Sequence, residues 1–215
     1  MTTIRGLARF AVLLGLLCAG CGRGGGGHMV SVPPPSSWEA TLLSERVAKD
    51  HGFRTDPETP LLPEDRADFQ GLEYWPPDPL YRLVGPLHVY AEPETFEIAT
   101  TSGKLRPAQK YGHVRFSLDG QPLTLQVYRL LDAVEGDDGL FLPFADGTTG
   151  KETYPAGRYL NLEGEPGGLY VLDFNRAYNP YCAYGEPERY VCPATPHENK
   201  LPVRIESGEH GYKAE

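Results

Sequence analysis

The stretch Val114-Arg115-Phe116-Ser117-Leu118-Asp119-Gly120-Gln121-Pro122-Leu123-Thr124-Leu125-Gln126-Val127 constrains the fold of this chain more than any other. Apolar Val114, Phe116 and Leu118 alternate with polar Arg115 and Ser117, and Leu123, Leu125 and Val127 resume the alternation after Asp119-Gly120. A period of two puts every second side chain on one face of an extended strand, and Asp-Gly suits the tight turn that reverses it. The pattern predicts an antiparallel hairpin with one buried face.

Other runs of the same kind follow from Leu80 onward: Tyr81 to Val84, Leu87 to Ala91, Thr95 to Thr100, Leu140 to Phe144, Arg158 to Leu162 and Leu169 to Phe174. The last two flank Glu163-Gly164-Glu165-Pro166-Gly167-Gly168, a turn by composition, and are expected to pair as a hairpin. One helix is predicted before them. Ser37 is placed as its N-cap, Trp38, Leu42, Leu43, Val47 and Ala48 on one face, and Gly52 at the C-cap. No long amphipathic pattern follows residue 52, so the expected fold is mainly β (α+β): an antiparallel sandwich or partly closed barrel with one N-terminal helix.

The N-terminus addresses the chain. Arg5 and Arg9 precede a short apolar run from Phe10 to Leu17, then small residues and a cysteine, the layout of an export signal. The run is well short of the roughly 18 to 20 residues that span a bilayer. Leu17-Cys18-Ala19-Gly20-Cys21 resembles a bacterial lipobox, which implies cleavage before Cys21 and lipid on its sulfur; the alternative is an ordinary secretory signal. Residues 21–36, rich in Gly and Pro, read as a tether of roughly 20 to 25 Å reach, and residues 37–215 as one globular domain. The expected location is extracytoplasmic, on a membrane.

Removing residues 1–20 takes away two arginines and no acid, so the net charge moves from −9 to −11. A chain this acidic has no basic stripe to release phosphate counterions, which argues against a nucleic-acid partner. Of the four cysteines, Cys18 leaves with the signal and Cys21 takes lipid. That leaves Cys182 and Cys192 as an isolated pair, which an oxidising compartment favours joining as a disulfide. Zinc held by Cys182, Cys192 and His197 is the less favoured alternative, since the spacing lacks the tight Cys-x2-Cys grip; no other cofactor is expected.

Two polar-rich segments, Phe144 to Leu160 and Asn175 to Pro202, hold the candidate contact residues: Asp146, Thr148, Glu152, Tyr154, Arg158, Asp173, Asn175, Tyr178, Asn179, Glu198 and Asn199. Gathered in one cleft, they would suit a small polar ligand with hydroxyl or carboxylate groups. A hydrolase or lyase is the second reading, with Glu152 or Asp146 as base, Arg158 holding an anionic group and Tyr154 or Tyr178 as proton donor. An envelope structural or assembly lipoprotein without a small-molecule site is the third. No Gly-x-Ser-x-Gly elbow, His-Glu-x-x-His pair or dinucleotide fingerprint occurs.

Three groups of residues carry a family resemblance. They are Phe69-x-Gly71-Leu72-x-Tyr74-Trp75-Pro76; Pro143-Phe144-x-Asp146-x-Thr148-x-Gly150-Lys151-Glu152-Thr153-Tyr154 with Gly157-Arg158-Tyr159-Leu160; and Leu172-Asp173-Phe174-Asn175-x-Ala177-Tyr178-Asn179-Pro180-x-Cys182. With Cys192-Pro193, Glu198-Asn199 and Gly208-Glu209, the chain resembles a bacterial and archaeal family, domain of unknown function 1684, over roughly residues 38 to 210. The resemblance implies no activity. Members occur with and without export signals, so it leaves a metal or redox role for the cysteine pair open beside the disulfide.

Overall fold

The protein is described here by a computed structural model covering residues 27–132, 139–165, 168–185 and 189–213. The expected export signal, with Cys18 and Cys21, lies outside the described residues. Two antiparallel sheets form a mainly β sandwich, as the alternation predicted, and neither closes into a barrel. The first sheet runs β1 (Val30–Ser31), β2 (Arg82–Gly85), β9 (Leu169–Asp173), β8 (Glu163–Glu165). The second runs β3 (His88–Ala99), β4 (Leu105–Leu118), β5 (Gln121–Leu130), β6 (Leu140–Phe144), β7 (Arg158–Asn161).

The hairpin predicted from the alternation between Val114 and Val127 is β4–β5. Val114 faces Leu125, Phe116 faces Leu123, and Asp119 and Gly120 turn with φ of 50° and 75°. Both central residues are left-handed, as a turn matching the strand twist requires. The buried face of this hairpin meets Leu142, Phe144 and Leu160 of its own sheet and Leu83 and Leu172 of the other. Each such side chain taken from water contributes about 1.5 to 3 kcal/mol, so this layer is the main source of stability.

Two expected details are corrected. Segments 158–162 and 169–174 do not pair: β7 lies beside β6 in the second sheet, while β9 lies between β2 and β8 in the first. Leu162, buried in the core, lets the chain cross between layers, and Gly164 then pairs with Tyr170 in a shorter hairpin. Second, α1 (Trp38–Thr55) outlasts Gly52 and ends at Asp56, whose amide donates to the Gly52 carbonyl, while Ser37 makes no side-chain cap. Its inward face is Trp38, Leu42 and Phe53, with Arg46 and Lys49 half-buried between them; Leu43, Val47 and Ala48 face solvent. A short helix, α2 (Pro63–Arg66), follows.

Part of the expected tether is folded. Met29 is buried, its amide donates to the Arg115 carbonyl, and Val30 pairs with Val84. The C-terminal segment is mostly irregular yet threads the whole molecule. Leu201 donates to Ala145, Glu209 to Ala177, His210 to Glu73 and Gly211 to Glu152 through backbone amides. An irregular segment at the interior must satisfy its amides this way, which is why it lies fixed between the sheet end and α1.

Candidate functional site

Most of the polar residues picked out in the sequence converge, but inside the protein. Arg158 is fully buried, with Trp75 and Phe144 rings 5.4 and 5.1 Å from its guanidinium carbon. It donates to the carbonyls of Ser207 and Ile205 and sits 3.4 Å from Asp146. Asp146 accepts from the Ile205 amide at 2.6 Å and from the Thr148 hydroxyl at 2.8 Å. Buried charges are tolerated where partners replace water, and here those partners are the C-terminal segment's own backbone. Burial pulls the Arg158 guanidinium below its ordinary value, with Asp146 opposing that shift.

Asp173, Asn175, Asn179 and Asn199 are likewise buried fasteners. Asp173 accepts from the Trp38 indole at 2.7 Å and so ties α1 to β9. Asn175 exchanges two hydrogen bonds with the Asp78 backbone. Asn179 donates to the His210 carbonyl at 2.7 Å, and Asn199 accepts from the Gln126 amide while donating to Gln126 and Pro143 carbonyls. Glu152 is apart from all of these, on the surface against Arg204, whose guanidinium holds its carboxyl below the usual range. Glu198 accepts from Tyr128 and pairs with Lys110, beside a separate polar cleft of about 510 Å³. His197 is exposed, and among the described residues no three His, Cys, Asp or Glu side chains gather as a metal set.

A cleft of about 1000 Å³ lies elsewhere, between the C-terminal half of α1, the ends of β5 and β6, β7, and residues 178–181 and 190–193. Of the residues foreseen, Tyr178 and Cys192 line it. The rest of its chemistry comes from residues the sequence reading passed over. Lys49 and Arg106 bring positive charge, Asp56, Asp132 and Glu163 negative charge, and Phe53, Phe141, Tyr159, Tyr181 and Tyr190 aromatic surface. Lys49 reaches Glu209, a buried carboxylate, and lies within 5.4 Å of the Tyr178 ring centroid. Arg106 pairs with Asp132 at 2.8 Å and donates to the Val191 carbonyl at 3.2 Å, so one cation fixes both walls. A smaller cleft of about 270 Å³ adjoins through Lys49, Asn161, Glu163 and Tyr178.

Tyr178, Cys192 and Pro193 are stitched to the strands beside them. Tyr159 and Tyr178 exchange backbone hydrogen bonds, the Tyr159 hydroxyl donates to the Pro193 carbonyl, and Thr101 donates to Cys192. Cys182 and Cys192 are buried free thiols, so the expected disulfide is not formed. The Tyr154 hydroxyl lies 3.8 Å from the Cys182 sulfur. Its neighbour Cys192 holds the Cys182 thiol below its ordinary value although burial opposes it, while the same pairing and burial push Cys192 up.

A two-sheet antiparallel sandwich with one packed helix and an aromatic-walled cleft defines the structural class. The chain belongs to the family described as protein of unknown function (DUF1684), which it matches over residues 67–210. It is also similar to a solved structure, the solution NMR structure of an uncharacterized protein of Haloarcula marismortui. The two are 35% identical with a TM-score of 0.62, covering 81% of this chain and 94% of the other. Among curated proteins none matches. The matched span includes Arg106, Tyr159, Tyr178 and Cys192 on the cleft; Lys49 lies before it.

Proposed function

We propose that this chain is an exported, lipid-anchored extracytoplasmic protein that binds a small polar ligand in the cleft between α1, β7 and the segment from Tyr178 to Pro193. The observation that carries the reading is the cleft itself, about 1000 Å³, the size of a small-molecule site. Its tyrosine faces offer flat apolar surface, and Lys49, Arg106, Asn161 and Glu163 offer both donors and acceptors. A hydroxyl-rich molecule with one apolar face, or one bearing a carboxylate, fits that mixture. Catalysis by Asp146 or Glu152 has no support: one carboxylate is enclosed with Arg158, and the other is paired with Arg204 away from the cleft. In an oxidising compartment the pair Cys182 and Cys192 is expected to close as a disulfide.

Ligand binding is tested by titrating saccharides and small dicarboxylates into isotope-labelled protein. The expected result is chemical-shift change confined to cleft residues, and at least about a tenfold loss of affinity in Arg106→Ala, equivalent to about 1.4 kcal/mol. Shifts spread over the surface, or none across the panel, reject the cleft as a binding site. Lipid anchoring is tested separately. Cys21→Ser is expected to abolish labelling by a radioactive fatty acid and to move the protein from the membrane to the soluble fraction; label retained in that variant rejects Cys21 as the anchor.

A further inference from the structure

We infer that the domain lies on a lipid bilayer through the edge of the sandwich made by β1 and the start of β3, with its cleft facing the aqueous compartment. The inference rests on the lipid at Cys21 proposed above and adds an orientation to it. A tether running to residue 36 would let the domain turn freely above the membrane, but the fold shortens it. The Gly27 carbonyl meets His88 Nε2 at 2.8 Å, and the amide of buried Met29 donates to the Arg115 carbonyl at 2.6 Å. Val30 then pairs with Val84. Five residues, 22–26, separate Cys21 from Gly27. Those six Cα steps reach at most about 22 Å, however they are arranged. A compact domain of this length is about 40 Å across, so such a link holds the Gly27 side against the lipid and keeps the opposite side out of reach.

The side chains around that exit suit the contact. Val30 is 55% exposed, Val89 51% and Leu169 43%. Val89 follows the histidine that meets Gly27. Leu169 directly precedes Tyr170, the partner of Gly85, and the residue after Gly85, Pro86, stands against Gly27. Val30, Val84 and Val171 are successive partners across three strands, and Leu169 lies two residues from Val171, so all four share one face. Exposed aliphatic side chains scattered singly carry no message, but these stand where the anchor leaves the fold. Each one entering the headgroup boundary adds apolar area to the hold of the acyl chains. Charge does not supply the contact, because Glu92 and Glu94 stand exposed just beyond Val89 and the chain is acidic. A zwitterionic surface is the partner that fits.

Both sheets put the cleft at the far edge. Gly27 leads into β1 and touches β3, the first strand of each sheet, whereas Glu163 of β8 and Tyr159 and Asn161 of β7, the last strands, line the cleft. Four strand spacings, about 19 Å, separate β3 from β7. Arg106 on the cleft also lies seven residues along β4, about 24 Å, from His113, the partner of His88. A ligand is therefore taken from solution and not from the membrane.

The test uses the full chain, isotope-labelled and lipidated by its host cell, in phosphatidylcholine nanodiscs carrying a gadolinium chelate on some headgroups. Fatty-acid labelling at Cys21 is read first. The expected result is loss of amide signal at residues 27–31, 88, 89 and 169, with signal kept at Asn161, Glu163 and Tyr181 on the cleft. In the triple variant Val30→Ser, Val89→Ser, Leu169→Ser, signals at 89 and 169 are expected to return while those at 27 and 28 stay lost. All three positions are exposed, so the core is left intact. Loss that is even over the domain, or strongest at the cleft, overturns the orientation while the anchor stands. Signals at 89 and 169 that stay lost in the triple variant overturn the apolar contact, and no label at Cys21 removes the anchor and this orientation with it.

Discussion

Asp146→Ala is expected to destabilise the protein by about 3 to 5 kcal/mol and to lower Tm by roughly 10 °C, without touching the cleft beside α1. The substitution removes the acceptor for the Ile205 amide and the Thr148 hydroxyl and leaves the Arg158 guanidinium buried without its ion-pair partner. The cost is that of an uncompensated charge more than that of the lost hydrogen bonds. Arg158→Met should be similar in size, since it strands Asp146 and frees the carbonyls of Ile205 and Ser207. The double variant Asp146→Ala with Arg158→Met removes both charges together, so its loss should fall short of the two singles' sum by about 2 kcal/mol. Urea denaturation of the four proteins checks this. Strict additivity, or an Asp146→Ala variant with unchanged Tm, would mean that the pair does not hold the C-terminal segment. Ligand affinity at the cleft is expected to stay unchanged in whatever fraction remains folded, which sets these residues apart from Arg106.

That contrast shows which parts of the molecule were legible in the sequence. The β4–β5 hairpin was fully legible because one buried face imposes a period of two and Asp119-Gly120 has a single sensible conformation there. The pairing of residues 158–162 with 169–174 was misjudged because turn composition says that the chain reverses, not which layer it reverses in. Leu162 carried the crossing, and a buried leucine in either sheet reads alike.

The site was less legible than the fold for two separate reasons. Asp146, Arg158 and Asn199 are residue types that serve ligands and buried backbone equally well, and only the path of residues 197 to 211 decides between them. A long irregular segment leaves no periodic trace of where it goes. Lys49 was hidden by the opposite error. Residues 38, 42, 46, 49 and 53 make a regular inward stripe on α1, but with arginine and lysine in it the apolar count favoured Leu43 and Val47 instead. Reading long cations as stems able to lie inside, with only their heads needing a partner, would have recovered the true face.

The partner of that lysine supports the other large effect, a loss of about 2 to 4 kcal/mol in Glu209→Ala. Glu209 follows Gly208, whose φ of 82° and whose close approach to the carbonyls of Phe174 and Ala177, 2.7 Å from where a Cβ would stand, aim the next residue inward. Its carboxylate accepts from the Asn179 amide at 2.9 Å, from the Tyr184 hydroxyl, from Lys49 and at 3.4 Å from Tyr74. Burial first, and then the Glu209 charge, raise the Tyr184 and Tyr74 phenols far above their ordinary range, so both remain donors at any pH the fold survives. Removing the carboxylate therefore leaves four donors without an acceptor. Lys49→Met takes away one donor and leaves the other three in place, with its half-exposed ammonium replaced by an apolar stem among Phe53, Tyr178 and Tyr184. Its cost should be clearly smaller than that of Glu209→Ala, and Glu209→Gln should fall between them because the amide still accepts on one side. Equal losses in Lys49→Met and Glu209→Ala would show that the ion pair alone matters and that the carboxylate is not the hub. Hydrogen exchange supplies the spatial check: in Glu209→Ala, amides of α1 near Lys49 and of residues 178–184 should lose protection together, because a single carboxylate joins the helix to the segment that walls the cleft.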